Sequence, residues 1–170
     1  MISALAMVVL LSSSAPPALR CKGEGAKDAK TQQARKTIEG MELFKFAVKQ
    51  LGAPKSCAVK WTREDGGDFS TVTYVLEKGT ATFANLPPET GIHTLEAKDG
   101  FPDEAAVRAF FKSAEPMKSF SIDWAAKPEV ATEKGATTET YWSTGEGDNA
   151  GVDLTTRGGK LVKASFHFAL

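Results

Sequence analysis

Apolar residues recur at helical spacing in two stretches of this chain and alternate with polar ones through most of the rest. Ile38, Met41, Phe44, Val48 and Leu51 fall on one side of a helix predicted from Thr31 to Leu51, which Gly52 and Pro54 end. Arg35, Glu39, Glu42 and Lys49 point elsewhere, while Leu43 and Phe46 lie outside the stripe as further core contacts. Gly40 weakens this helix by about 1 kcal/mol relative to alanine. A second helix opens with Pro102, Asp103 and Glu104: proline needs no hydrogen bond there, and carboxylates meet the positive end of the dipole. Val107, Phe110, Phe111 and Ala114 form its buried stripe, and Pro116 marks its end.

Between and after the helices the period shortens to two. Cys57 to Thr62 alternates, the turn Glu64–Asp68 follows, and Phe69 to Glu77 alternates again. Lys78-Gly79 makes a hairpin into Thr80–Ala84, Asn85-Leu86-Pro87-Pro88 interrupts, and Ile92–Ala97 is a short strand. Beyond the second helix the predicted strands are Ser119–Trp124, Thr137–Ser143, Val152–Thr156 and Lys160–Phe168. The last two are joined by the Arg157-Gly158-Gly159 turn.

These elements predict an α+β domain over residues 31–170, with two main helices packed on one face of a mostly antiparallel sheet. A faint echo runs through it. Ala58-Val59-Lys60-Trp61 and Thr71-Val72-Thr73-Tyr74 follow the first helix, and Ser121-Ile122-Asp123-Trp124 and Thr138-Glu139-Thr140-Tyr141 follow the second. A duplicated α-β-β-β unit would account for that order, as would chance resemblance between two β-rich halves.

The N-terminus has a different character. Ile2 to Leu11 is an apolar run interrupted only by Ser3, followed by Ser12-Ser13-Ser14-Ala15. A run of about ten residues suits a signal-peptide core and is too short for a bilayer span of roughly 20. Residues 1–20 are therefore expected to be an export signal, although no Lys or Arg precedes the apolar run. After cleavage no transmembrane span is expected. Residues 21–30, small, charged and containing glycine, read as a flexible tether.

Cys21 and Cys57 are the only cysteines. Cys21 admits a lipid anchor, but Leu19 and Arg20 are not the small residues that such processing wants, which favours a Cys21–Cys57 disulfide in an oxidising compartment. The two are exclusive, because a thioether sulfur forms no bridge.

Lys and Arg number 21 and so do Asp and Glu, so no net field draws the chain to nucleic acid or an anionic surface. From Lys22 to Lys60 nine basic residues meet four acidic ones, and the remainder is correspondingly acidic. The basic stretch lacks the interleaved aromatics and arginine richness of nucleic-acid sites.

Candidate chemistry is sparse. His93 and His167 are the only histidines, neither stands beside a nucleophile motif, and there is no G-x-S-x-G elbow. No cofactor or metal site is expected: H-E-x-x-H and C-x-x-C are absent. The oxygen-rich loop Gly145–Gly151 fails as an EF-hand, with Ala150 at a ligand place and Arg157 where a bidentate glutamate belongs. The strongest binding candidates are Trp124, Tyr141 and Trp142 with the acidic Glu146 and Asp148. Tyr141 and Trp142, adjacent in a strand, must face opposite sides of the sheet.

The expectation is an exported protein, periplasmic or secreted, that is not an enzyme and binds another macromolecule, protein or glycan, or supports the cell envelope. An inhibitor or immunity-type protein is one alternative. A small exported hydrolase using His93 or His167 is another.

Overall fold

The computed structural model describes residues 19–23, 25–64, 67–85, 90–114, 117–145 and 149–169. The expected export signal thus lies almost wholly outside the described residues, as do Glu146 and Asp148. Among the described residues the order is β1 (Cys21–Lys22), α1 (Ala29–Gly40), α2 (Glu42–Leu51), β2 (Pro54–Glu64), β3 (Gly67–Leu76), β4 (Gly79–Asn85) and β5 (Thr90–Ala97). There follow α3 (Glu104–Ser113), a 3-10 turn at Met117–Phe120, β6 (Glu129–Glu133), β7 (Ala136–Trp142), β8 (Asn149–Arg157) and β9 (Lys160–Ala169).

All nine strands form one sheet in the order β1-β2-β3-β4-β5-β9-β8-β7-β6. Only the β1–β2 pairing is parallel. Each half is a helical segment followed by a four-strand meander, and the last strands of the two meanders, β5 and β9, pair with each other at the centre. Thr71–Tyr74 in β3 and Thr138–Tyr141 in β7 therefore occupy corresponding strands, whereas Ala58–Trp61 lies in β2 and Ser121–Trp124 precedes β6 and is in no strand.

The first predicted helix is two. Met41 takes an extended conformation (φ −66°, ψ 144°), and its N–H closes α1 on the Ile38 carbonyl. Gly40 just before it supplies the weak point that helix propensity anticipates. At the end of α2, Gly52 has φ 87°, where a side chain would also collide with Glu77. In α3, Asp103 caps the first turn by accepting the Ala106 N–H at 2.9 Å. The Glu104 carboxylate accepts the Leu161 N–H at 2.7 Å, fastening the helix start to β9.

The core lies between these helices and one face of the sheet. Val72, Tyr74, Phe83, Leu95, Phe166, Val152 and Leu154 present that face, against Leu43, Phe44, Ala47 and Leu51 of the α2 region and Val107 and Phe111 of α3. Phe44 meets Tyr74 edge-on at 4.7 Å, and Phe46 stacks on Phe110 at 4.1 Å, joining α2 to α3. Leu43 and Phe46 thus pack inward, as expected.

Three segments differ from the sequence expectation. Ser119–Trp124 is not a strand: Ser121 has φ 48°, and the Asp123 carboxylate captures the Ala125 and Ala126 N–H groups, leaving one isolated bridge between Ile122 and Ser143. β6 was not anticipated, because every residue in it is exposed and no alternation marks it. Residues 21–30, expected to form a tether, are held at several points. Cys21 and Lys22 pair with Cys57 and Ala58, Ala26 is buried, and α1 starts at Ala29.

Cys21 and Cys57 form a disulfide across β1 and β2, with their Cα atoms 4.5 Å apart. A sulfur engaged in this bond cannot carry a lipid, so the bridged form excludes the anchor at Cys21.

Candidate functional site

Alternation along each strand sends one set of side chains to the helices and the other to the opposite face, over which no described helix packs. On that open face Thr73, Thr82, Thr94, Ser165, Asp153 and Thr140 succeed one another across β3, β4, β5, β9, β8 and β7. Their side chains bond to one another: Thr73 to Thr82 at 3.2 Å, Thr94 to Ser165 at 3.1 Å, and the Thr140 hydroxyl to Asp153 Oδ1 at 2.7 Å. Such cross-strand hydroxyl pairs stabilise neighbouring strands of a pleated sheet.

The neighbouring row, two residues along, reads Ile92, His167, Gly151 and Trp142 across β5, β9, β8 and β7. Here the surface becomes apolar. Ile92 is 53% and Trp142 44% exposed. The His167 imidazole lies over Gly151 and meets the Trp142 ring at 5.2 Å, nearly perpendicular. Gly151 is required for this: a Cβ there would strike His167 and crowd Trp142. His167 Nδ1 faces Asp153 Oδ2 at 3.5 Å.

Burial alone would raise the Asp153 carboxyl, but hydrogen bonds from His167 and Thr140, with the charges of His167 and Lys163, outweigh it. The group is held below the usual carboxylate range. Nearby Ser165 is 3% exposed with its hydroxyl bonded to Thr94, and Cys57 is in the disulfide.

His93 lies on the other face, buried between the rings of Phe83 at 5.5 Å and Phe168 at 6.2 Å. Burial lowers its pKa, and its Nδ1 has no hydrogen-bond partner of ordinary geometry. Tyr74, also in the core, is shifted upward by burial and by the Glu39 carboxylate.

The sheet divides the aromatic trio anticipated from sequence. Tyr141 and Trp124 pack together on the helix side at 4.7 Å, with the Lys112 ammonium 5.5 Å from the Trp124 ring centre. Trp142 stands alone of the three on the open face. Asp153, Thr140 and Ile92, not singled out from sequence, join it there. The alternation in Val152–Thr156 already separates Asp153 from Val152 and Leu154, but its proximity to His167 depends on strand register. Among the described residues no three His, Cys, Asp or Glu side chains converge as a metal site, and no helix is long and apolar enough to cross a membrane.

Compared with protein-family models, with curated proteins and with solved structures, the chain matches none.

Proposed function

We propose that this is an exported, non-enzymatic protein that binds a protein partner through the open face of its sheet, with Trp142, His167 and Ile92 at the centre of the contact. The observation that carries this reading is the row Ile92–His167–Gly151–Trp142, over which no described helix packs. There an exposed aromatic is held by a histidine over a glycine instead of being turned into the core. Exposed tryptophan braced by neighbours is the residue type that anchors protein interfaces. Seven strands from β2 to β7 give a face about 30 Å across, the scale of an interface burying roughly 800 Å² per partner. A partner blocked by this contact would make the protein an inhibitor.

The export reading rests on the apolar run Ile2–Leu11 and is supported by the Cys21–Cys57 disulfide, which persists in oxidising compartments. We further propose that the two helix-plus-meander halves descend from one duplicated unit. Their mirrored strand order about β5 and β9 supports it.

Affinity capture from the envelope and culture-fluid fractions of producing cells tests the binding reading. One partner retained by the wild-type protein and lost with Trp142→Ala is the expected result. Retention that is indifferent to Trp142→Ala removes the open face from the account.

A further inference from the structure

A second site lies at the far end of the sheet from Trp142. A cavity of about 680 Å³ opens between residues 19–21 and α1, within the range of about 300–1,000 Å³ that accommodates small ligands. Its apolar wall is Leu19, Ala26 and the bridged Cys21. Its charged wall is Arg20, Lys27, Arg35 and Lys36 against a single carboxylate, Glu39.

That carboxylate is engaged from two sides. Glu39 Oε1 accepts from the Arg35 guanidinium at 3.0 Å and from the Tyr74 hydroxyl at 3.2 Å. Arg20, Lys27 and Lys36 stand exposed at the rim, and none has a carboxylate partner among the described residues. Among the described residues that line it, the cavity therefore carries an excess of positive charge.

Arg35 carries the second observation. It is only 9% exposed, its terminal nitrogens reach the Leu19 carbonyl, Gln32 and Glu39, and its Nε is buried without a partner. Arg35 lines the cavity and its Nε is a donor only, so the chemistry lacking there is an acceptor.

We propose that the cavity binds a small amphipathic anion: a carboxylate or phosphate head among Arg20, Lys27, Arg35 and Lys36, and an apolar body against Leu19, Ala26 and the disulfide. Arginine and lysine together suit such heads through charge-assisted hydrogen bonds. Because Cys21 forms part of the wall, the bridge to Cys57 holds the cavity together. This site is independent of the open-face reading.

The test is calorimetric titration of the oxidised protein with octanoate, octyl phosphate and neutral octanol. One-to-one binding of at least one anion is expected, with octanol weaker by about tenfold or more, the scale of charge-assisted hydrogen bonds. Whichever anion binds tighter names the head group. Lys27→Glu with Lys36→Glu, both at exposed positions, should weaken the anion by about tenfold while the circular dichroism spectrum is unchanged. Lys127→Glu, at an exposed position beside β6 at the other end of the sheet, should leave binding intact. Octanol binding as tightly as the anions, indifference to the rim substitutions, or no one-to-one binding of either anion would overturn the proposal.

Discussion

His167 Nδ1 stands 3.5 Å from Asp153 Oδ2, across β9 and β8, on the face of the sheet over which no described helix packs. The two side chains come from neighbouring strands and are offset by one pleat, since Asp153 is paired in register with Ser165 and His167 with Gly151. This offset lets the imidazole touch the carboxylate on one side and Trp142 on the other.

The relationship predicts a pH dependence of stability. The Asp153 carboxyl is held below its ordinary range in the folded chain, so its contribution is present above the unfolded value of about 3.9 and fades as pH falls through the folded value. Asp153→Asn should destabilise the protein at pH 7 by on the order of 1 kcal/mol. Urea unfolding should find that penalty reduced at pH 3. An equal penalty at both pH values would remove the ionised carboxylate from the explanation.

The disulfide should contribute more than any single surface contact. Cys21 and Cys57 are 36 residues apart, and closing a loop of that size restricts the unfolded chain by about 3–4 kcal/mol. Cys21→Ala with Cys57→Ala should lower the urea-unfolding free energy by that order. Intact mass of the protein should rise by two hydrogens on reduction; an unchanged mass would deny the bond.

The two faces of the sheet should respond differently to truncation. Phe166 is fully buried and packs on Phe120 and Phe168, so Phe166→Ala should cost about 3–5 kcal/mol. Trp142→Ala, at a 44% exposed position, should cost about 1 kcal/mol or less and act on partner capture instead. Thermal unfolding of both variants distinguishes the faces.

Gly40 closes α1 with nothing within 4 Å of the place a Cβ would take, and its backbone needs no positive φ. Gly40→Ala should therefore stabilise the protein by about 0.4–1 kcal/mol, read as a raised melting temperature. A lowered one would mean that the α1–α2 junction needs the glycine.

Much of this fold is legible in residue patterns because local periodicity is enforced by burial. The separation of Tyr141 from Trp142 and of Phe166 and Phe168 from His167 follows from alternation alone. The break at Met41 is hidden, since Ile38, Met41 and Phe44 keep helical spacing through it. β6 is hidden for the opposite reason: an edge strand exposed along its whole length buries nothing that could impose a pattern.

The Asp153–His167 contact was beyond a sequence reading for a more specific reason. Counting back from the Arg157–Lys160 turn pairs Asp153 with Ala164, a core position. A bulge between Thr155 and Thr156 shifts the register by one and pairs it with Ser165 instead. The meeting of β5 with β9, which builds the open face, joins segments some seventy residues apart and leaves no local trace.

The most direct measurement of the central claim is photo-crosslinking in producing cells, with a photoreactive amino acid placed at position 142, at position 92, or at position 112 on α3. If the open face is the binding surface, positions 142 and 92 give the same adduct and position 112 gives none. An adduct from position 112 alone, or none from either open-face position, would contradict it.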